Sequence, residues 1–152
     1  MTAFYKDQGI SLYDALLDMY QQYGLYKETL LSITKKGKTG TEEIKTMMQT
    51  FRTNTPKSLG DSKVIELRDY EMGKQTNLLT GAISNLDFPK SDVLQFITAD
   101  GSIISARPSG TEPKIKFYFS VNAILEGAND FDEANTFLDT KIQNIITEMK
   151  LN

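Results

Sequence analysis

Apolar residues recur along the chain at two spacings, and each spacing predicts a type of secondary structure. Apolar side chains three and four positions apart predict amphipathic helices, whereas alternation of apolar and polar side chains predicts strands. The helical spacing covers residues 11–23, 41–52 and 131–149. The strand pattern covers residues 25–34, 63–70, 93–98, 102–106 and 114–121.

Local signals mark the ends of several of these elements. Ser11 and Asp14 form a capping box at the start of the first helix, and Gly24 ends it. Thr41 is the predicted N-cap of the second helix, and the segment KKGKTG before it, residues 35–40, predicts a turn. The Asp-Gly pair at 100–101 predicts a β-hairpin.

The order of the elements predicts an α+β fold. From residue 25 onward the chain reads strand, helix, three or four strands, helix, and most strand connections are short. Short connections favour an antiparallel sheet of four to five strands, with both helices packed on one face. The helix at 11–23 is extra to this two-layer domain. Residues 71–92 predict a long surface excursion with one short strand at most, and no chemistry is assigned to them.

Composition excludes several classes of function. The chain has no His and no Cys, which rules out Ser-His-Asp hydrolases, thiol nucleophiles and thiolate metal sites. With 17 basic and 20 acidic residues, it lacks the broad positive field of proteins that bind nucleic acid or anionic membranes. It also lacks a membrane-length apolar run and a secretory signal pattern. A cytoplasmic location is expected.

The loop RPSGTEP, residues 107–113, joins two predicted strands and predicts a local anion site. Arg107 offers a planar fork for two phosphate oxygens, and the hydroxyls of Ser109 and Thr111 can donate to a third. Gly110 permits a positive φ that would turn backbone N–H groups toward one point. The alternative is an ordinary structural turn in which Arg107 forms an ion pair with Glu112.

The strand after this loop places further polar side chains beside it. Lys114, Lys116 and Tyr118 share one face, opposite the apolar positions of the same strand. Lys116 is a weaker candidate for contact with an anion. Its alternative interpretation is a solvated lysine on a strand.

The segment RPSGTEPKIKFY resembles the phosphate-binding loop in the C-terminal domain of the α-D-phosphohexomutases, the phosphoglucomutase and phosphomannomutase superfamily. The resemblance extends through residues 5–48 and the segment PKSDVLQFITADGS. It implies the TATA-box-binding-protein-like fold of those domains. It also implies a parent isomerase that interconverts hexose 1-phosphate and hexose 6-phosphate. The TASHNP-like serine loop, the DGDxDR-like metal loop and the GEESGH-like sugar loop of that family are absent from this chain.

The resemblance also implies a division of the chain and a set of site residues. Residues 1–24 would be the closing helix of a preceding domain, and 25–152 the phosphate-binding C-terminal domain. The implied phosphate contacts are Arg107, Ser109, Gly110 and Thr111, with Lys116 as the weaker candidate. Glu112 belongs to the motif but repels phosphate, so we expect it to brace the loop or Arg107.

The resemblance implies no catalytic residue and no bound cofactor in this chain, since magnesium would bind in another domain of the parent enzyme. The implied partners are a hexose phosphate or inorganic phosphate and the remaining domains, with no nucleic acid and no membrane. The chain alone would then be inactive. The alternative is a free-standing anion-binding or protein-interaction module, and an upstream in-frame serine loop in the gene would distinguish the two.

Overall fold

The computed structural model describes residues 2–125 and 131–152. The helices of the described part are α1 Thr2–Asp7, α2 Leu12–Tyr23, α3 Gly37–Thr53 and α4 Phe131–Glu148. Its strands are β1 Leu25–Thr34, β2 Ser58–Leu59, β3 Ser62–Asp69, β4 Lys74–Asn77, β5 Ile83–Asn85, β6 Leu94–Thr98, β7 Ile103–Pro108 and β8 Lys114–Ala123. No helix in these ranges is long and apolar enough to cross a membrane.

The strands form one antiparallel sheet in the order β1-β8-β7-β6-β3-β4-β5, and β2 pairs only with β3. Helices α3 and α4 pack against the same face of this sheet, because their apolar side chains join those of the strands in one buried core. The predicted α+β class, with two helices on one face, is confirmed.

The core is organised around strand β8. Ile115, Phe117, Phe119 and Val121 point toward the helices and are almost completely buried. The ring of Phe51 on α3 packs edge-on against Phe117, with ring centroids 6.2 Å apart. Each such side chain contributes about 1.5–3 kcal/mol by leaving water. The strict alternation along β8 therefore fixes which of its faces lies inside.

The sheet has more strands than the four to five that the sequence predicted. Two of the additional strands, β4 and β5, come from the segment 71–92, for which one short strand at most was predicted. They read KQTN and ISN, so they lack the apolar alternation that reveals a strand. Asn77 shapes the turn that joins them, since its side chain accepts the backbone N–H groups of Leu79 and Thr80 at 2.9 and 3.0 Å. Backbone pairing and this turn form the hairpin without apolar packing.

Two helix predictions also need correction. Helix α3 begins at Gly37 with Lys36 as its N-cap, whereas the sequence predicted Thr41 as the N-cap and a turn over 35–40. Gly37 has φ +67° and redirects the chain into the helix. Gly40 is buried, and its missing side chain lets the first turn approach Lys35 closely. The short helix α1 was not predicted.

Helix α2 begins and ends where the sequence predicted. The Ser11 hydroxyl accepts the Asp14 N–H at 3.0 Å, and Gly24, with φ +89°, donates to the Tyr20 carbonyl at 2.8 Å. Most of the large apolar side chains of α2 are exposed. Tyr20 is an exception, because its ring stacks on Phe131 with centroids 5.9 Å apart. The division of the chain after residue 24 stays a prediction.

An ion pair between a buried lysine and a partly exposed aspartate joins α4 to the hairpin turn between β6 and β7. The Lys141 ammonium is 2.6 Å from the Asp100 carboxylate, and only 5% of the Lys141 side chain is exposed. Thr98 also donates to Asp100, at 2.6 Å. Burial alone raises the pKa of Asp100, but the hydrogen bonds from Lys141 and Thr98 outweigh it and lower the pKa well below its usual range. The charged form of Asp100 is therefore the one that the fold stabilises.

This ion pair makes the free energy of unfolding depend on pH in the acidic range. Because the pKa of Asp100 is lower in the folded state, its contribution is complete above the unfolded pKa of about 3.9 and is lost as pH falls toward the folded value. We expect Asp100→Asn to unfold at lower urea concentration than the wild type at pH 6. The difference between the two midpoints should shrink as the pH drops below about 4.

Asp139→Asn is the matched control, because it removes a carboxylate that pairs with Lys27 while 58% exposed. Exposed pairs of this kind contribute little, about 0–1 kcal/mol. A midpoint difference for Asp100→Asn that stayed constant from pH 6 to pH 2.5 would contradict the role assigned to Asp100.

Candidate functional site

The pairing of β7 with β8 places basic side chains on the open face of the sheet. Arg107 lies directly opposite Lys116. Their chain neighbours Ala106 and Phe117 lie opposite each other on the other face, where both are fully buried. Because successive side chains of a strand point to opposite faces, the buried pair forces the basic pair outward.

A cavity of about 260 Å³ opens at the end of these two strands. It has room for roughly eight water molecules at about 30 Å³ each, which is sufficient for a phosphoryl group. Its lining residues come from β7, the following loop and β8: Arg107, Pro108, Ser109, Gly110, Glu112, Lys114, Lys116 and Tyr118. The cavity is therefore built by one hairpin, at the end of two interior strands of the sheet.

The charges around this cavity are unbalanced. Arg107, Lys114 and Lys116 line it, and among the described residues Glu112 is the one acidic side chain in the lining. Within residues 2–125 and 131–152, none of the three basic side chains forms an ion pair, including the Arg107–Glu112 pair of the alternative interpretation. Like charges directly opposite each other on a sheet are unfavourable. An anion in the cavity would relieve this repulsion.

Hydrogen bonds within the loop hold it in a tight turn. The Ser109 N–H donates to the Lys114 carbonyl, and the Lys114 N–H donates to the Glu112 carbonyl, both at 2.7 Å. The Ser109 hydroxyl oxygen accepts the N–H groups of Thr111 and Glu112 at 3.4 and 3.3 Å. These last two bonds are long, and the Ser109 hydroxyl still has its proton to donate.

Gly110 does not have the positive φ that the sequence predicted, so that prediction is wrong. The loop turns without it, because the Ser109 hydroxyl and the Lys114 N–H close the turn. A Cβ at Gly110 would meet nothing within 4 Å. The backbone N–H of Gly110 has no acceptor in the part of the chain that the structure describes. Gly110 therefore leaves an open surface and a free donor beside the cavity.

The structure brings most of the predicted site residues together. Arg107, Ser109, Gly110 and Lys116 line one cavity, whereas Thr111 does not line it. Glu112 braces the loop through its backbone groups. The sequence placed Lys114 and Tyr118 on the same face as Lys116 without naming them as site residues. The alternation along β8 was the signal that could have identified them.

The end of β1 supports the loop from the other side. The Lys35 N–H donates to the Pro113 carbonyl at 2.8 Å. Lys35 is also the residue against which Gly40 packs: a Cβ at Gly40 would lie 2.9 Å from the Lys35 carbonyl carbon. The side chain of Lys35 pairs with Glu43 on α3 at 3.2 Å. The position of the loop exit thus depends on close packing of α3 against Lys35.

The resemblance to the phosphohexomutases implies a magnesium ion in the parent enzyme. The described residues of this chain offer no site that fits one. Within 2–125 and 131–152, no group of three acidic side chains is placed to hold a metal ion.

Comparison with known protein families shows which family the chain belongs to. Residues 56–134, which include the loop and its flanking strands, match the model of the phosphoglucomutase/phosphomannomutase C-terminal domain. This chain belongs to that family. The matched range begins well after residue 25, so it does not locate the start of the domain.

Curated relatives include phosphoglucomutases from Staphylococcus. The chain is 36% identical over 138 residues to that of Staphylococcus saprophyticus, covering 91% of this chain and 24% of the relative. It is 38% identical over 128 residues to that of Staphylococcus aureus, covering 84% and 22%. The chain thus spans about a quarter of the length of the curated relatives it matches.

A solved structure supports the fold. The exocytosis-sensitive phosphoprotein parafusin, a phosphoglucomutase from Paramecium, aligns over 96% of this chain and 24% of its own, with a TM-score of 0.55 and 16% identity. At that identity the likeness concerns the fold alone. It agrees with the antiparallel α+β architecture described above.

The close approach at Gly40 can be tested by substitution. Gly40→Ala improves helix propensity by about 1 kcal/mol, but its Cβ would overlap the Lys35 backbone. Such overpacking costs about 1–3 kcal/mol, so we expect net destabilisation in urea unfolding and displacement of the Pro113 hydrogen bond. Gly110→Ala is the control, since it adds the same methyl group to open space. Equal stabilities of the two variants would contradict this packing.

Proposed function

We propose that this chain is the phosphate-binding domain of a phosphoglucomutase or phosphomannomutase. Its cavity beside residues 107–116 would hold the phosphate of a hexose phosphate. The observation that carries the proposal is the unbalanced charge of the cavity, where three basic side chains without ion-pair partners in the described part surround space sufficient for a phosphoryl group. The family match supports the same role.

Each lining group has a distinct task in this proposal. The guanidinium of Arg107 binds two phosphate oxygens through its planar fork, and Lys116 and Lys114 add charge from the neighbouring strand. The Ser109 hydroxyl and the Gly110 N–H donate to the remaining oxygen. Thr111 is adjacent in the loop, and its hydroxyl would reach the ligand after a side-chain rotation. Hydrogen bonds to a charged group are worth about 1.5–3 kcal/mol each, so a few of them bind phosphate usefully.

In a complete enzyme this grip would position the substrate. The parent would interconvert hexose 1-phosphate and hexose 6-phosphate, and this domain would hold the phosphate that is not reacting. Binding energy remote from the reacting atoms can then be used to orient the sugar. The chain supplies no nucleophilic serine loop and no metal loop in this proposal, so it is inactive by itself and works with the remaining domains.

Removal of Arg107 tests the phosphate site directly. We expect inorganic phosphate in the millimolar range to shift the amide NMR signals of Gly110 and Thr111 in the 15N-labelled wild type. Arg107→Ala should weaken binding at least tenfold, because one charge-assisted contact of about 1.4 kcal/mol or more is lost. Binding should also weaken as salt concentration rises.

Arg68→Ala is the matched control. Arg68 lies on β3, on the same open face but two strands from β7, and pairs with Glu66. Arg68→Ala changes the net charge by the same amount as Arg107→Ala but leaves the cavity intact. The Arg68→Ala variant should therefore bind phosphate about as tightly as the wild type. If Arg107→Ala and Arg68→Ala weakened binding equally, the effect would come from net charge and the local site would be refuted.

The proposed inactivity of the chain alone is tested by a mutase assay. With glucose 1-phosphate and Mg²⁺, we expect the 152-residue chain to form glucose 6-phosphate only at the background rate. The phosphoglucomutase of Staphylococcus saprophyticus serves as the positive control. Turnover by the chain that disappeared in Arg107→Ala would overturn the proposal.

A further inference from the structure

A second cavity lies on the open face of the sheet, next to the candidate phosphate site. It has a volume of about 550 Å³, and Tyr118 lines both cavities. The residues that line it from the open face are Glu28, Leu30, Gln95, Ile103, Ser105, Tyr118 and Ser120. These residues come from strands β1, β8, β7 and β6, so the cavity rests on the middle of the sheet.

Strand register sets the distance between the two cavities. Ser105 pairs with Tyr118, two residues along the strands from the pair of Arg107 and Lys116. Two residues along an antiparallel strand span about 6.8 Å. A ring bonded directly to a phosphate in the first cavity therefore reaches the second.

The polar groups of this second cavity are oriented but have hydrogen-bonding capacity left. The Tyr70 hydroxyl donates to Gln95 at 2.8 Å, and the Gln95 amide donates to the Ser105 hydroxyl at 3.1 Å. The proton of Ser105 thus remains to be donated outward. In the described part of the chain, Glu28 forms no ion pair and the Ser120 side chain no hydrogen bond.

The charge of the second cavity differs from that of the first. None of the described residues that line it is basic, and Glu28 supplies an acceptor that would repel a phosphate. Leu30, Ile103 and the ring of Tyr118 supply apolar surface between the polar groups. The cavity thus combines side chains that can hydrogen-bond to hydroxyl groups with an aromatic ring. This combination suits a neutral molecule with many hydroxyls and apolar C–H faces.

We propose that the second cavity binds the sugar ring of the phosphosugar whose phosphate occupies the first. This inference rests on the proposed phosphate site and extends it. Glu28, Ser105 and Gln95 would bind ring hydroxyls, and the face of Tyr118 would pack against the ring. The domain would then contribute to sugar binding as well as to phosphate binding.

The test compares glucose 6-phosphate with inorganic phosphate as probes of the same 152-residue chain. In the wild type, glucose 6-phosphate should bind about fivefold more tightly, because one or two additional hydrogen bonds contribute about 1 kcal/mol. It alone should shift the amide signals of Ser105 and Ser120 in NMR titrations. Both probes should shift the signals of Gly110.

Variants separate the two cavities. Glu28→Ala and Ser105→Ala each change residues that line the second cavity and not the first. Both should abolish the fivefold preference while leaving the affinity for inorganic phosphate unchanged. Ser84→Ala, on β5 of the same sheet, is the matched control and should keep the preference.

The outcomes distinguish this inference from the proposed function. Equal affinity of the wild type for both probes, with no shifts at Ser105 and Ser120, would overturn the sugar subsite and leave the phosphate site standing. A preference that survived Glu28→Ala and Ser105→Ala would overturn it too. Failure of both probes to shift Gly110 would refute the phosphate site, and the sugar subsite with it.

Discussion

The register between β7 and β8 is the constraint on which the candidate site depends. Ala106 and Phe117 lie opposite each other in the core, so Arg107 and Lys116 must face outward. A slip of β8 by one residue against β7 would turn Lys116 into the core and expose the apolar row of β8. The packing of α3 and α4 on one face of the sheet thus determines which side chains the other face displays, although neither helix lines the cavity beside residues 107–116.

Magnitudes explain why the fold tolerates this cluster of like charges. A repulsive pair on an exposed sheet face costs a few tenths of a kcal/mol to about 1 kcal/mol. Burial of one large apolar side chain contributes about 1.5–3 kcal/mol, and four alternate positions of β8 are buried. The core therefore sets the register in spite of the repulsion. The unrelieved charge is available for a ligand.

Other charged groups of the molecule contrast with this cluster. Arg52, at the end of α3, lies 3.0 Å from Asp69 and 2.6 Å from Asp92, and Lys141 is paired with Asp100. Burial alone would lower the pKa of Arg52, but the hydrogen bond that Arg52 donates to Asp92 and the charge of Asp69 outweigh it and raise the pKa. These charged groups form ion pairs with one another, and the pairs connect helices to the sheet. Arg107, Lys114 and Lys116 around the cavity beside residues 107–116 have no such partners among the described residues. Their charge is not used in an ion pair within the fold.

Local patterns in the sequence were sufficient to predict most of the elements that bury apolar side chains. The alternation in β8, the periodicity of α2 and α4 and the Asp-Gly turn between β6 and β7 are local signals, and each predicts an element that the structure contains. The residue types of the loop, with Arg107 at its start, were likewise sufficient to predict an anion site.

The features that lack a local apolar signal depend on contacts made in the folded chain. Strands β4 and β5 form because backbone groups find partners across the sheet, and α3 begins early because Gly40 lets it pack on Lys35. The conformation of Gly110 followed from hydrogen bonds that Ser109 and Lys114 make across the loop. Lys114 and Tyr118 line the cavity because β8 pairs with β7. Such contacts depend on residues brought together by the fold, so spacing along the chain does not reveal them.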